Sequence, residues 1–204
     1  GSRALVRSNG RPDTRRMSAL VDGLAALHRE GREVIVVSSG AIACGLQALG
    51  MKKRPDDLPT LQMPAAVGQS RLMAAYDKLF VRKKCRIGQV LLTHDDLEHR
   101  RRHLNARNSM LKLLEHGVIP IVNENDVVSV DEIKFGDNDA LASRTAMLVE
   151  AELLVLLTTV NGFRATDAKG RSRKVDFLPG ITSETLSHAK GKGSAFSTGG
   201  MASK

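Results

Sequence analysis

The chain has 204 residues, of which 42% are hydrophobic and 26% charged; that length and balance suit one domain with a buried core and exclude a disordered chain. No apolar run approaches the roughly 18 residues of a membrane-spanning helix, and the N-terminus lacks a basic-then-apolar signal pattern. Two cysteines, Cys44 and Cys85, are too few for a disulfide scaffold or a four-ligand zinc site and read as buried small hydrophobes.

The net charge is +9, from 31 Lys and Arg against 22 Asp and Glu. Residues 1–117 hold 21 of the basic and 11 of the acidic residues, so the excess lies in the first part of the chain. Aromatic residues make up only 3%, so stacking platforms for single-stranded nucleic acid are poorly supplied. The expectation is a cytoplasmic protein with no membrane and no nucleic-acid partner. There is no initiator methionine, and the terminal glycine pair is followed by helix formers that stop at Lys204. The chain is therefore read as a fragment.

In chain order, Met17, Leu20, Val21, Leu24 and Leu27 repeat at the helical period over 14–30, with Gly31 as a stop. Val34–Val37 is a continuous β-branched run, the pattern of a strand buried on both faces. Ala41–Leu49 suits a helix, 51–60 a loop with two prolines, and 65–81 a helix. Ile87–Leu92 is a second strand, 95–116 a polar helix, and Val118–Val122 a third strand. A helix over 139–150 precedes a fourth predicted strand, Leu153–Leu157. The remainder is loop-rich, with a short helix near 183–189. Alternating helices and continuous apolar strands predict an α/β fold with a mainly parallel sheet.

In such sheets ligands sit beyond the carboxyl ends of strands. After the first strand comes Ser38-Ser39-Gly40-Ala41, small residues whose backbone amides can face an anion at a helix start; an N-capping serine is the plain alternative. After the third comes Asn123-Glu124-Asn125-Asp126, and twelve positions beyond Glu124 begins Gly136-Asp137-Asn138-Asp139. Residues 124–139 carry six acids against the single Lys134, which repel one another unless a cation offsets them. The spacing is not that of an EF-hand. After the fourth run comes Thr158-Thr159, and Thr198–Lys204 offers backbone amides and a lysine to phosphates without the spacing of a P-loop. His99 and His103 flank three arginines, which disfavours a metal there; the arginine run reads as a solvated helix face or an oligomer contact.

Val-Val-Ser-Ser-Gly-Ala-Ile-Ala (36–43), Ala-Ala-Val-Gly-Gln-Ser-Arg-Leu (65–72), Leu-Asn-Ala-Arg (104–107), Ile-Val-Asn-Glu-Asn-Asp (121–126), Gly-Asp-Asn-Asp (136–139) and Thr-Gly-Gly-Met-Ala-Ser-Lys (198–204), taken together and in order, closely resemble the glutamate 5-kinase family of the amino-acid kinase superfamily. The resemblance spans essentially the whole chain. It implies a three-layer α/β/α sandwich around a mainly parallel sheet. It also implies ATP-dependent phosphorylation of the side-chain carboxylate of L-glutamate, the first step of proline synthesis. By motif position Ser39, Asp126 and Asn138 match glutamate-binding residues. Thr158 and Thr159 match an ATP-binding pair, and Thr198, Gly199, Gly200, Met201, Ala202, Ser203 and Lys204 match the ATP-binding loop, Lys204 being a candidate catalytic lysine. Family members also bind Mg2+ with the nucleotide, form homo-oligomers and are often inhibited by proline.

Two departures stand out. Thr159 occupies a position where the family often has Asp. Gly1-Ser2 looks like the end of the family's first-strand motif, cut after its lysine. Residues 1–204 are accordingly expected to be an incomplete amino-acid kinase domain, short of its first strand and C-terminal part and without the small C-terminal PUA domain of many bacterial members. Such a fragment is expected to be inactive alone. Kinases of the superfamily that act on N-acetylglutamate, aspartate, carbamate or UMP, and a non-catalytic nucleotide-binding protein, are the competing readings.

Overall fold

Three apolar runs lie side by side in the computed structural model, which describes residues 5–7, 9–129, 138–158, 161–166, 171–183 and 185. β1 (Val36–Val37), β2 (Arg86–Leu92) and β3 (Val118–Glu124) form a parallel sheet in the order β1-β3-β2. Val37 is in register with Val122, and Leu92 with Glu124, so all three strands end at one edge. The helices are α1 (Thr14–Arg29), α2 (Ala41–Ala48), α3 (Leu58–Val81), α4 (His94–Glu98), α5 (Arg100–Glu115) and α6 (Asn138–Leu148). β4 (Arg164–Thr166) and β5 (Ser172–Lys174) form a separate antiparallel ribbon within the region expected to be loop-rich.

Alternation along β3 feeds two cores. Ile119 and Ile121 pack with Val36, with Met17, Val21 and Ala25 of α1, and with Leu72, Tyr76 and Phe80 of α3. On the other face Val122 and Leu92 pack with Leu97 of α4, Met110 of α5, and Leu141 and Leu148 of α6. Both faces are covered, which is why the strands read as unbroken apolar runs. This is the expected helix–sheet–helix layering. Each fully buried Leu, Ile or Phe contributes about 1.5–3 kcal/mol.

The predicted elements recur with four differences. First, α3 begins seven residues earlier than the periodicity indicates. Asp57 caps it by accepting from the Thr60 amide at 3.0 Å, and Pro59 falls in the first turn, where a missing N–H costs nothing. Pro64 inside the helix is tolerated and buried.

Second, the predicted 95–116 helix is broken at His99, whose backbone is extended (φ −80°, ψ 114°). At 100° per residue, Leu97 and Met110 on one continuous helix would point about 140° apart. The break lets both reach the same core. A reciprocal Thr93–Asp96 capping box fixes the start of α4.

Third, Leu153–Leu157 is not a strand: it has no regular structure, and Leu153 and Val155 are 77% and 65% exposed. An apolar run becomes a strand only where a neighbour satisfies its backbone, and no described strand pairs with this one. Fourth, β1 is only two residues long, short of the predicted Val34–Val37. The predicted short helix near 183–189 lies outside the described residues apart from Ser183 and Thr185.

Candidate active site

The turn after β1 is held close to β3. The Ser38 amide donates to the Val122 carbonyl at 2.8 Å, and the Ser38 hydroxyl shares a 2.9 Å hydrogen bond with the Tyr76 hydroxyl. Tyr76 is wholly buried, and burial pushes its hydroxyl up to about 12. Gly40, at φ 107°, is the N-cap of α2, and no side chain caps that helix. The N-capping serine is therefore not what this turn uses. A Cβ at Gly40 would also meet Val6 at 2.5 Å. α2 then packs backbone to backbone on α3: a Cβ on Gly68 would overlap the Ala41 carbonyl oxygen. That close approach sets where Ser38 and Ser39 stand. Ser39 itself is buried.

The chain leaving β3 is built from side-chain and backbone bonds. The Asn125 amide donates to the Leu92 carbonyl at 2.8 Å, and the Ser129 hydroxyl donates to Glu124 Oε1 at 3.1 Å. Gln62 of α3 donates to the Ser129 carbonyl at 3.3 Å. Asp126 is 8% exposed. Burial, reinforced by the Glu124 charge and opposed by Arg54, raises its carboxyl to about 7. Asp126 lines a cavity of about 310 Å³ with Glu124, Asn125 and Val127, with Ala65, Ala66, Gln69 and Ser70 of α3, and with Gln89 and Leu91 of β2.

Asn138, the first residue of α6, ties the two turns together. Its Nδ2 donates to the Ser38 carbonyl at 2.7 Å and to Asn123 Oδ1 at 3.0 Å. Asn123 Nδ2 in turn donates to Gln69 Oε1 at 2.8 Å. The Ser38 carbonyl can only accept, so the orientation of each amide in this relay follows from the one before it. From the sequence Asn138 can offer a ligand both a donor and an acceptor. In the structure both N–H groups are committed, and only its buried Oδ1 is left without a partner among the described residues.

Ser39, Asp126 and Asn138 thus stand at one end of the sheet: Asn138 is joined to Ser38, the neighbour of Ser39, and through Asn123 to Gln69, which lines the same cavity as Asp126. Ser39 and Asn138 do not line the cavity that Asp126 lines. Asn123 and Gln69 lie inside the quoted 121–126 and 65–72 motifs but carry no sequence signal of their own. An Asn and a Gln 54 positions apart show no spacing that marks them as partners.

The remaining predicted residues are less connected. Thr158 is exposed at the end of the irregular segment after α6. Thr159 and Thr198–Lys204 lie outside the described residues, as do Gly136 and Asp137. Among the described residues no cluster of His, Cys, Asp and Glu could hold a metal ion, and no helix is long and apolar enough to cross a membrane. The His99 and His103 rings sit 3.1 Å from the Asp95 and Leu97 carbonyls. Arg100, Arg101 and Arg102 are exposed, and Arg107 of the 104–107 motif donates to the Leu148 carbonyl at the end of α6 at 3.1 Å. Cys44 is buried, and burial raises its thiol to about 11, the behaviour of an unreactive core residue.

Comparison with known sequences gives the family. Residues 1–204 match the Amino acid kinase family. The chain is 47% identical to a protein named glutamate 5-kinase from Geobacter metallireducens, covering all of this chain and 55% of that protein. It is 46% identical to one of the same name from Myxococcus xanthus, covering all of this chain and 54% of that protein. It is 43% identical to a third from Clostridium acetobutylicum, covering all of this chain and 77% of that protein. The chain thus spans about half the length of the first two. The chain belongs to the amino acid kinase family, and the relatives it resembles carry the name glutamate 5-kinase.

Proposed function

We propose that the protein of which this chain is part transfers a phosphoryl group from ATP to the side-chain carboxylate of L-glutamate, giving L-glutamate 5-phosphate, the first step of proline synthesis. The observation that carries this reading is a buried acid, Asp126, in a cavity at the carboxyl ends of parallel strands. An ionised carboxylate there needs a cation, and the ammonium group of a free amino acid supplies one. N-acetylglutamate has no such charge and would leave Asp126 unpaired, at a cost of about 1–3 kcal/mol or more. The relatives' shared name supports glutamate as that amino acid.

In this reading Ser39, Asp126 and Asn138 hold the acceptor. Asp126 takes the ammonium group, and Asn138 Oδ1 serves as an acceptor. The Ser39 hydroxyl and the amides of the uncapped start of α2 suit a carboxylate. The acceptor carboxylate has an ordinary pKa of about 4.3 and is ionised at neutral pH, so no general base is required. The barrier is the meeting of two anions, and positive charge and positioning lower it.

Thr158, Thr159 and the Thr198–Lys204 loop are assigned to ATP. Hydroxyls, backbone amides and a lysine are a donor set of the right chemistry for polyphosphate, and Lys204 is the cation assigned to the migrating group. Mg2+ carried by the nucleotide would add further positive charge there. Residues 1–204 are read as one amino-acid kinase domain, incomplete and inactive alone. A homo-oligomer and inhibition by proline belong to the same reading.

The test is ADP release by the complete gene product with ATP and a panel of acceptors. L-glutamate is expected to be used, and N-acetylglutamate, aspartate, carbamate and UMP refused. Preference for any of those four refutes the assignment.

A further inference from the structure

The amide relay has a direction, and its far end meets no acceptor among the described residues. Asn138 must present Nδ2 to the Ser38 carbonyl, Asn123 must present Oδ1 to Asn138, and Gln69 must present Oε1 to Asn123. Gln69 is therefore left with Nε2, a donor, and cannot turn over without setting two N–H groups against each other. That Nε2 is buried and has no partner among the described residues. A buried donor without an acceptor is costly, and native structures leave few of them. Gln69 lines the cavity that also holds Asp126. Gln69, which carries the preset donor, and Asp126 line one cavity, and together they match the two charged groups on the α-carbon of an amino acid: carboxylate to the donor, ammonium to the acid.

We propose that Gln69 is a substrate-binding residue, its Nε2 donating to the α-carboxylate of the amino-acid acceptor; this rests on the glutamate-kinase reading above. Gln69 is thereby a specificity element, favouring a free α-carboxylate over an amide or ester.

Two substitutions separate recognition from architecture. Gln69→Glu keeps an Oε1 to accept from Asn123 but replaces the donor by a second acceptor. Gln69→Met removes both without adding charge. In the complete gene product, Gln69→Met is expected to raise the KM for glutamate roughly 10- to 100-fold, the range for losing a hydrogen bond to a charged group, and Gln69→Glu at least as much. The KM for ATP and kcat should move about twofold or less, the pattern of a binding contact. Gln69→Glu keeps the relay but adds a carboxylate beside Asp126 and Glu124, so it should melt below wild type at neutral pH, and the gap should narrow as pH falls. With the α-amide of glutamate as acceptor, Gln69→Met should cost clearly less than it does with glutamate.

If wild type uses glutamate but both variants keep its KM within about twofold, the inference is wrong and the functional reading stands. Equal penalties with glutamate and its α-amide, or a fall in kcat with KM unchanged, also overturn it. If Gln69→Glu fails to fold, Gln69→Met decides alone. If wild type uses no glutamate at all, the functional reading fails and this inference falls with it.

Discussion

Asp126 carries opposite demands on stability and binding. Its carboxyl, raised to about 7 by burial and by Glu124, keeps a proton in the folded chain that the unfolded chain has lost above about pH 4. The folded state therefore loses stability as pH rises from about 4 to about 7, and the cost is fully present above that window. Asp126→Asn removes the cost. We expect the variant to melt several degrees above wild type at about pH 8, with the gain vanishing toward about pH 4. In the proposed reading binding runs the other way, since an ammonium group needs the ionised form. In the complete gene product the glutamate KM should climb as pH falls below about 7, approaching tenfold per unit, and Asp126→Asn should flatten that profile. The same substitution should raise the glutamate KM roughly 10- to 100-fold and leave the ATP KM unchanged. Equal effects on both substrates in steady-state kinetics would remove Asp126 from the acceptor site.

At the scale of elements, two helices meeting through glycine set the position of the turn after β1. Gly68 lets α3 touch the Ala41 carbonyl, and α2 begins directly after Ser38-Ser39-Gly40. Gly68→Ala forces backbone apart rather than a flexible side chain. A loss of about 1–3 kcal/mol or more is expected, with a lower melting temperature and a raised glutamate KM. Gly23→Ala is the control: its Cβ would meet nothing within 4 Å at an exposed position of α1, and helix propensity predicts a gain of about 0.5–1 kcal/mol. Equal melting shifts for the two would mean the α2–α3 contact is looser than described. The helices and the three strands of the parallel sheet were legible from pattern, while the β4–β5 ribbon, the missing strand at 153–157 and most element ends were not. Periodicity registers neither Asp57 capping α3 nor one extended residue at His99, because each depends on a single hydrogen bond or on where a distant core lies.

For the whole molecule, burial separates apolar runs that look alike as text. Ile121 in β3 and Leu153 in the segment after α6 both sit in continuous apolar stretches, yet Ile121 is 1% exposed and Leu153 is 77% exposed. Ile121→Ala should destabilise by about 2–5 kcal/mol in thermal or urea unfolding. Leu153→Lys and Val155→Lys in the 204-residue chain should each change stability by about 0.5 kcal/mol or less. A large loss from either Lys substitution would show that 153–157 is packed after all.

The layered α/β class, the covered sheet and the strand tips as the place for chemistry follow from local patterning. A strand buried on both faces must be apolar throughout, and that property belongs to the run itself. The motifs carried Ser39, Asp126 and Asn138, but as resemblance and not as geometry. The directed relay from Ser38 to Gln69, the loss of donor capacity at Asn138 and the perturbed carboxyl of Asp126 arise only when residues far apart in sequence are brought together. Hydrogen-bond direction and desolvation are properties of that assembled neighbourhood, and no residue holds them alone.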